Sequence, residues 1–339
     1  MSIVAVNSIT DASGGNTASI NGIPLRQGVI DPENRIINGA FDFWQRGTSS
    51  TAGGYVAADR WQNTFNTGTV TQSRQAFAVG DTLGSNSPTY SLRQTVSGQS
   101  ATGAYAITAQ IIEGVRSYAG QTITVLGWAR RSSGTGNMSV ELYQSFGTGG
   151  TPSASVNAVA PAVTTLSATL QPFAAVITVP SIAGKTLGTN GNDWMAINFW
   201  TSAGSDYNAR TNSLGIQTIG VDLWGIHIKL GVHTADATAL YKQPELGPEL
   251  ARCQRYYEEG LLFIRADAYG TAYGVGTGFS TTKRAIPSVA LTTVASLDLN
   301  FGPFTYTPGV TTQTVSISAF FGGSGAAFMA VKYKADAEL

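Results

Sequence analysis

The chain has 339 residues, enough to bury a sizeable core without disulfide or metal staples, and only 12% are charged while 40 are glycine, a profile unlike that of a helix-rich protein. Lys plus Arg and Asp plus Glu balance at 20 each, which removes the electrostatic footprint of a nucleic-acid binder or a polybasic membrane binder. A single cysteine, Cys253, and two histidines, His227 and His233, exclude an internal disulfide, a multi-thiolate site and a histidine-rich metal centre.

The N-terminal run MSIVAVNSITDASGG has no basic leader, and Asn7, Ser8, Thr10 and Asp11 interrupt its apolar residues, so no secretory signal is predicted. Nor does any later stretch approach the roughly 20 apolar residues of a bilayer crossing. The expectation is a product made in a cytosol and not inserted in a membrane. Residues 1–35 hold two short strand-like runs around Ser13-Gly14-Gly15-Asn16 and too few apolar side chains for a core. They are read as a docking segment that packs on something else.

From residue 36 the chain alternates apolar and polar residues over short runs that break at Gly, Ser or Asn. QTITVLGWAR, MSVELYQSF, DWMAINFW and VDLWGIHIKL are rich in β-branched and aromatic residues, and SSGTGN, GTGGTPS and GTNGND separate them. Such spacing predicts antiparallel hairpins. With no alternating helices, an all-β jelly-roll sandwich over 36–244 follows. A helical period appears next: Pro248 suits a first turn, Glu249 complements the positive helix end, Leu250, Cys253 and Tyr257 recur at three and four, and Gly260 offers a stop. This predicts a linking helix over 245–260. Strand patterns resume in GLLFIRADAY, AIPSVALTTV and AAFMAVKYKA, giving a second, smaller β domain over 261–339.

Strand phase points to a binding face. In DWMAINFW, Met195, Ile197 and Phe199 share one face as core, and Trp194, Asn198 and Trp200 share the other. In MSVELYQSF, Met138, Val140 and Leu142 oppose Glu141 and Tyr143; in DLWGIHIKL, Trp224, Ile226, Ile228 and Leu230 oppose His227 and Lys229. Sugar rings have apolar C–H faces ringed by hydroxyls, so aromatic platforms beside amides and carboxylates fit a glycan. The candidate site is therefore Trp194, Asn198, Trp200, Glu141, Tyr143 and His227. The competing reading is that loops, the second domain or a symmetry mate cover this face.

Catalytic motifs are lacking: there is no G-x-S-x-G elbow, H-E-x-x-H, Walker A or complete G-x-G-x-x-G. Gly274-Val275-Gly276-Thr277-Gly278 lacks the Lys of a phosphate loop. The expectation is a non-enzyme without a cofactor. Structural calcium at Asp193, Asp206 or Asp222 is the metal alternative. Cys253 reads as a small buried hydrophobe, and Asp59-Arg60-Trp61 as a charge-assisted contact at a domain edge with Trp44, Trp61 and Phe43 as core aromatics.

Four phrases also carry a resemblance. Ile9 to Gly22 (ITDASGGNTASING) looks like the N-terminal segment of tailed-phage appendage proteins. Ile36 to Thr48 (IINGAFDFWQRGT), followed by Ala58-Asp59-Arg60-Trp61, is similar to the opening of a phage jelly-roll domain. Glu249 to Glu258 (ELARCQRYYE) resembles its closing helix, and Arg284-Ala285-Ile286-Pro287 with Ala335 to Leu339 resembles the β domain behind it. Such relatives often carry an Arg ahead of the helix where Lys242 and Gln243 stand here. The resemblance implies a bacteriophage virion protein: first a tail fibre or receptor-binding appendage engaging host surface polysaccharide or lipopolysaccharide, second a capsid or tail decoration or connector protein, third a polysaccharide depolymerase. It further implies a homotrimer joined to other virion proteins through residues 1–35.

Overall fold

The computed structural model describes residues 19–20, 23–24, 34–266, 272–297, 306–320 and 327–339. It is all-β: a jelly-roll sandwich, a short helix and a smaller β domain. In the first sheet of the sandwich, β11 (Val156–Val159), β10 (Asn137–Ser145), β14 (Trp194–Ala203), β8 (Tyr105–Glu113), β5 (Gln62–Asn66) and β4 (Gly54–Tyr55) run in that spatial order, with β12 (Thr164–Thr165) also on β10. The second has the order β13 (Gln171–Thr178), β9 (Thr122–Ser133), β15 (Ile219–Leu230), β7 (Tyr90–Ser97), β6 (Thr69–Ala76) and β3 (Ser49–Ser50). The pairings are antiparallel.

Period-two patterning builds the core between these sheets. Met138, Val140 and Leu142 of β10 and Met195, Ile197 and Phe199 of β14 meet Ile123 and Val125 of β9, Phe173, Ala175 and Ile177 of β13, and Val221, Leu223, Ile226 and Ile228 of β15. Phe173 and Phe199 touch edge to face at 6.3 Å. Trp61 lies in the same core, 5.0 Å from the Phe41 ring. Trp44 is buried there as well, while Phe43 is half-buried.

One phase assignment is corrected. Val221 and Leu223 face inward, and so do Ile226 and Ile228, because the β15–β9 register shifts between Trp224 and His227. Gly225 supplies the positive φ of +63° that this bulge needs. Trp224 consequently pairs with Trp128 on the outer face rather than with Ile226, and stays buried because something covers it. Tyr241, following a 3-10 turn at Ala235–Leu240, packs on Trp224 at 5.5 Å, on Trp128 at 6.3 Å and on His227 at 4.8 Å. The outer face of β9 and β15 around Trp128, Trp224 and His227 is thus covered by the chain itself.

The helix is shorter than its predicted range. α2 spans Leu246–Gln254, and Tyr257 already belongs to β16 (Tyr257–Ala266), so Gly260 lies inside a strand. Tyr257 pairs with Asp336 across the new sheet, and that ladder overrides the helical spacing. α1 is a single turn, Asn208–Thr211. The smaller domain stacks β16, β21 (Ala327–Asp336) and β18 (Ser288–Leu297) against β17 (Ala272–Gly278), β20 (Thr314–Phe320) and β19 (Tyr306–Val310). Leu262, Ile264, Val315, Ile317, Met329 and Val331 form its separate core.

Three of the four phrases that carry the phage resemblance, all but Ile9 to Gly22, converge at the junction between domains. Asn38 bonds the carbonyls of Phe43 and Asp59, its carbonyl accepts from the Trp61 indole at 3.0 Å, and its backbone N–H donates to buried Glu249 of α2. Arg60, 1% exposed, pairs with Glu338 and lies 3.4 Å over the Tyr256 ring; Arg46 pairs with Asp336 at 2.6 Å and lies 3.6 Å over Tyr257. Arg284 donates to the carbonyls of Ala337 and Glu338. Residues 1–35, the predicted docking segment, fall almost wholly outside the described residues. Within them a two-residue pairing of β1 (Ser19–Ile20) with β2 (Ile23–Pro24) is present, and Asn34 accepts from Ile228 N at 3.1 Å.

Candidate functional site

The outer face of the first sheet is open. It forms a groove of about 400 Å³ bounded by Gln62 and Thr64 of β5, Tyr105, Ile107, Ala109 and Ile111 of β8, Tyr143 and Ser145 of β10, Trp194, Ala196, Asn198 and Trp200 of β14, and Tyr207 and Arg210 of the loop beyond. The antiparallel register puts Glu141 opposite Asn198, Tyr143 opposite Ala196 and Ser139 opposite Trp200, so five of the six predicted residues meet here. Trp194 and Trp200 stand six positions apart on β14, about 20 Å at the usual strand rise.

The five divide into different roles. Trp194 and Tyr143, both half-buried, stack at 5.6 Å with an interplanar angle of 29°, a diagonal cross-strand aromatic pair in the lining of the groove. Trp200 is only 1% exposed. It is packed against Ile107, Ala109 and Ala203, with Tyr105 and Tyr207 closing over it, and so forms part of the floor rather than a platform. Glu141 is fully buried. Its carboxylate accepts from Asn198 Nδ2 and Trp200 Nε1, each at 2.9 Å, and from Arg210 Nε at 2.6 Å and Nη2 at 2.8 Å. It serves the protein's own donors and is not a line of contact to a ligand.

Arg210 was not among the predicted residues. α1 delivers it, and α1 is held by local bonds: Thr211 Oγ1 donates to the Tyr207 carbonyl at 2.9 Å, and Ser213 N to the Asn208 carbonyl at 3.0 Å. Gly204 lets this loop leave β14, since a Cβ there would stand 2.1 Å from the Thr102 carbonyl oxygen. The guanidinium lies 5.0 Å over Trp200 and 5.3 Å from the Tyr143 ring centre. Burial opposes its charge, but hydrogen bonds to Glu141 and the charge of that carboxylate prevail, and its pKa is raised. Burial, with Tyr207 beside it, likewise pushes the Tyr105 hydroxyl up against the pull of Arg210. Tyr105 and Tyr207 also escaped the sequence reading. The only local hint was a polar-aromatic run, Ser205-Asp206-Tyr207-Asn208-Ala209-Arg210, between two strongly apolar strands.

His227 is the sixth predicted residue, and the structure separates it from the others. It is 3% exposed on the opposite sheet, stacked on Tyr241, with Nδ1 2.8 Å from the Gly225 carbonyl oxygen. Nor are the three aspartates brought together. Asp222 is buried between Arg93 (2.6 and 2.9 Å) and Arg130 (2.8 Å), Asp193 accepts from Val115 N at 2.8 Å, and Asp206 accepts from Thr102 Oγ1 at 3.2 Å. Among the described residues no three His, Cys, Asp or Glu side chains cluster as metal ligands. Cys253 is buried, and burial raises its thiol pKa well above the usual value, which suits the small hydrophobe read from the sequence.

No family model matches the chain, and no curated protein does. Among solved structures it is similar to the enzymatically active domain of tailspike protein 4 of bacteriophage CBA120, at 17% identity over 58% of this chain with a TM-score of 0.32. The chain spans 21% of that tailspike chain. The CBM22-1 xylan-binding domain of Paenibacillus barcinonensis Xyn10C matches at 12% identity over 54% of this chain and 91% of its own, TM-score 0.32. The family 11 carbohydrate-binding module of a Clostridium thermocellum cellulosomal cellulase matches at 9% identity over 55% and 96%, TM-score 0.32.

Proposed function

We propose that the open face of the first sheet binds glycans, and that the chain is a tail fibre or other receptor-binding appendage of a tailed phage that holds bacterial surface polysaccharide or lipopolysaccharide. The observation that carries the glycan reading is the Tyr143–Trp194 stack beside Arg210 in a groove of about 400 Å³. A platform of two rings takes the apolar face of a sugar, and Arg210, Gln62, Thr64 and Ser145 supply polar groups for its hydroxyls. The phage reading rests on the sequence phrases. A homotrimer seated on the virion through residues 1–35 would turn weak single contacts into useful avidity.

Binding rather than hydrolysis is favoured by the lining itself. Glycoside cleavage ordinarily uses two carboxylates flanking the bond. Among the described residues no Asp or Glu lines the groove, and Glu141 beneath it is committed to four donors. A glycan array probed with the full chain and with Trp194→Ala and Tyr143→Ala tests this: binding is expected for the parent and lost in both variants. Binding that is indifferent to both substitutions would remove the groove from consideration, and new reducing ends on incubation with host polysaccharide would restore the enzyme reading.

A further inference from the structure

Building on the glycan-binding reading, we infer that Arg210 determines the specificity of the groove and that the sugar it selects is acidic, presenting a carboxylate to the free tip of the guanidinium. Among the described residues that line the groove, Arg210 alone carries a charge. Its Nε–Nη2 edge is taken by Glu141, at 2.6 and 2.8 Å. The second fork, between Nη1 and the remaining Nη2 hydrogen, is left for a ligand, and it has the spacing that grips a planar carboxylate through two parallel hydrogen bonds.

The surroundings fix that fork in place. The guanidinium is clamped between Glu141 and the faces of Trp200 and Tyr143, so little freedom is lost on binding. Its side chain remains 31% exposed, whereas that of Glu141 is 0% exposed. An anion entering the groove therefore meets the cation first and the buried carboxylate only across it. Attraction acts over the shorter distance and exceeds the repulsion. A pyranose lying on the Tyr143–Trp194 platform sits within reach of Arg210, which is 5.3 Å from the Tyr143 ring centre. A carboxyl substituent on such a ring, as in a hexuronate, can then occupy the tip. Glu141 acts through Arg210 as a positioning residue.

The test titrates the full chain with galacturonate, glucuronate, mannuronate and sialate oligosaccharides, each beside its carboxyl-reduced counterpart, at low and high NaCl. The expected result is at least one acidic member bound about tenfold more tightly than its reduced partner, with the ratio shrinking as salt rises. Arg210→Lys keeps the charge but loses the fork, and should bring the ratio to about twofold or below. The double variant Arg210→Gln with Glu141→Gln leaves no uncompensated buried charge and should erase the ratio while still melting cooperatively. Equal or tighter binding of the reduced sugars, still dependent on Trp194, overturns the acidic-sugar inference and leaves the groove standing. A ratio that persists in both Arg210 variants overturns it too. Failure of every oligosaccharide to bind overturns the inference and the glycan reading together.

Discussion

Arg60 and Glu338, 278 positions apart, form an ion pair in which the side chains are 1% and 6% exposed. The pair ties the sandwich to the last residues of the smaller domain. Arg60 also donates to the Ile111 carbonyl at 2.6 Å and lies on Tyr256, so one side chain joins β8, the α2–β16 connection and the chain terminus.

Removing Arg60 takes one of its two cations from buried Glu338, leaving only Arg46 Nη2 at 3.1 Å, and empties the place of a buried guanidinium. Arg60→Met is therefore expected to lower stability by about 3–5 kcal/mol. Arg60→Met with Glu338→Gln should lose less than Arg60→Met alone, because the buried carboxylate that has lost one of its two cations is gone. Urea midpoints of the three proteins check this, and equal losses would mean that Arg60 acts through Tyr256 and Ile111 only.

Trp200 and Trp194 should separate in their effects. Trp200→Ala empties a buried site and strands one hydrogen bond of Glu141, with an expected loss of about 3–5 kcal/mol. Trp194→Ala, at a half-buried position, should abolish glycan binding with a far smaller shift in thermal midpoint. Comparing melting curves with array signals reads both at once.

Burial holds the Asp59 carboxyl at about 6 against the ordinary 3.8, with the Gln45 hydrogen bonds and then Arg46 and Arg60 opposing. The folded protein thus binds this proton more tightly than the unfolded chain does. The contribution of Asp59 is fully present below about pH 4 and is lost as pH rises through about 6. Asp59→Asn should flatten stability over that window and raise it at pH 7 by on the order of 1 kcal/mol. Denaturation series from pH 4 to 8 decide the sign.

Gly225 is the hinge of the β15 bulge. A Cβ there would stand 2.8 Å from Trp128 Cε3 on a backbone with φ of +63°. Gly225→Ala is expected to cost about 1–3 kcal/mol and to disturb the near-ultraviolet dichroism of the Trp128–Trp224–Tyr241 cluster. An unchanged spectrum would show that the bulge tolerates a side chain.

The alternation of apolar and polar residues determined the strands, the inward set of β10 and β14, and the shared outward face of Glu141, Tyr143, Trp194, Asn198 and Trp200, because a strand side chain can point only up or down and cross-strand neighbours share a face. The junction contact of Arg60 was likewise legible, as a cation beside a core tryptophan. Helix spacing misled at Tyr257, where pairing with Asp336 prevailed, and strict alternation misled at Trp224, where one extra residue reset the phase. What only the tertiary structure decided is which parts of the outer faces are covered and where a groove is left. Tyr241 folds back over His227 and Trp224, while Arg210 arrives over Glu141 from a loop that strand periodicity does not describe. Coverage of a face and the meeting of a buried carboxylate with its cation depend on distances between segments remote in the chain, and no local pattern encodes those.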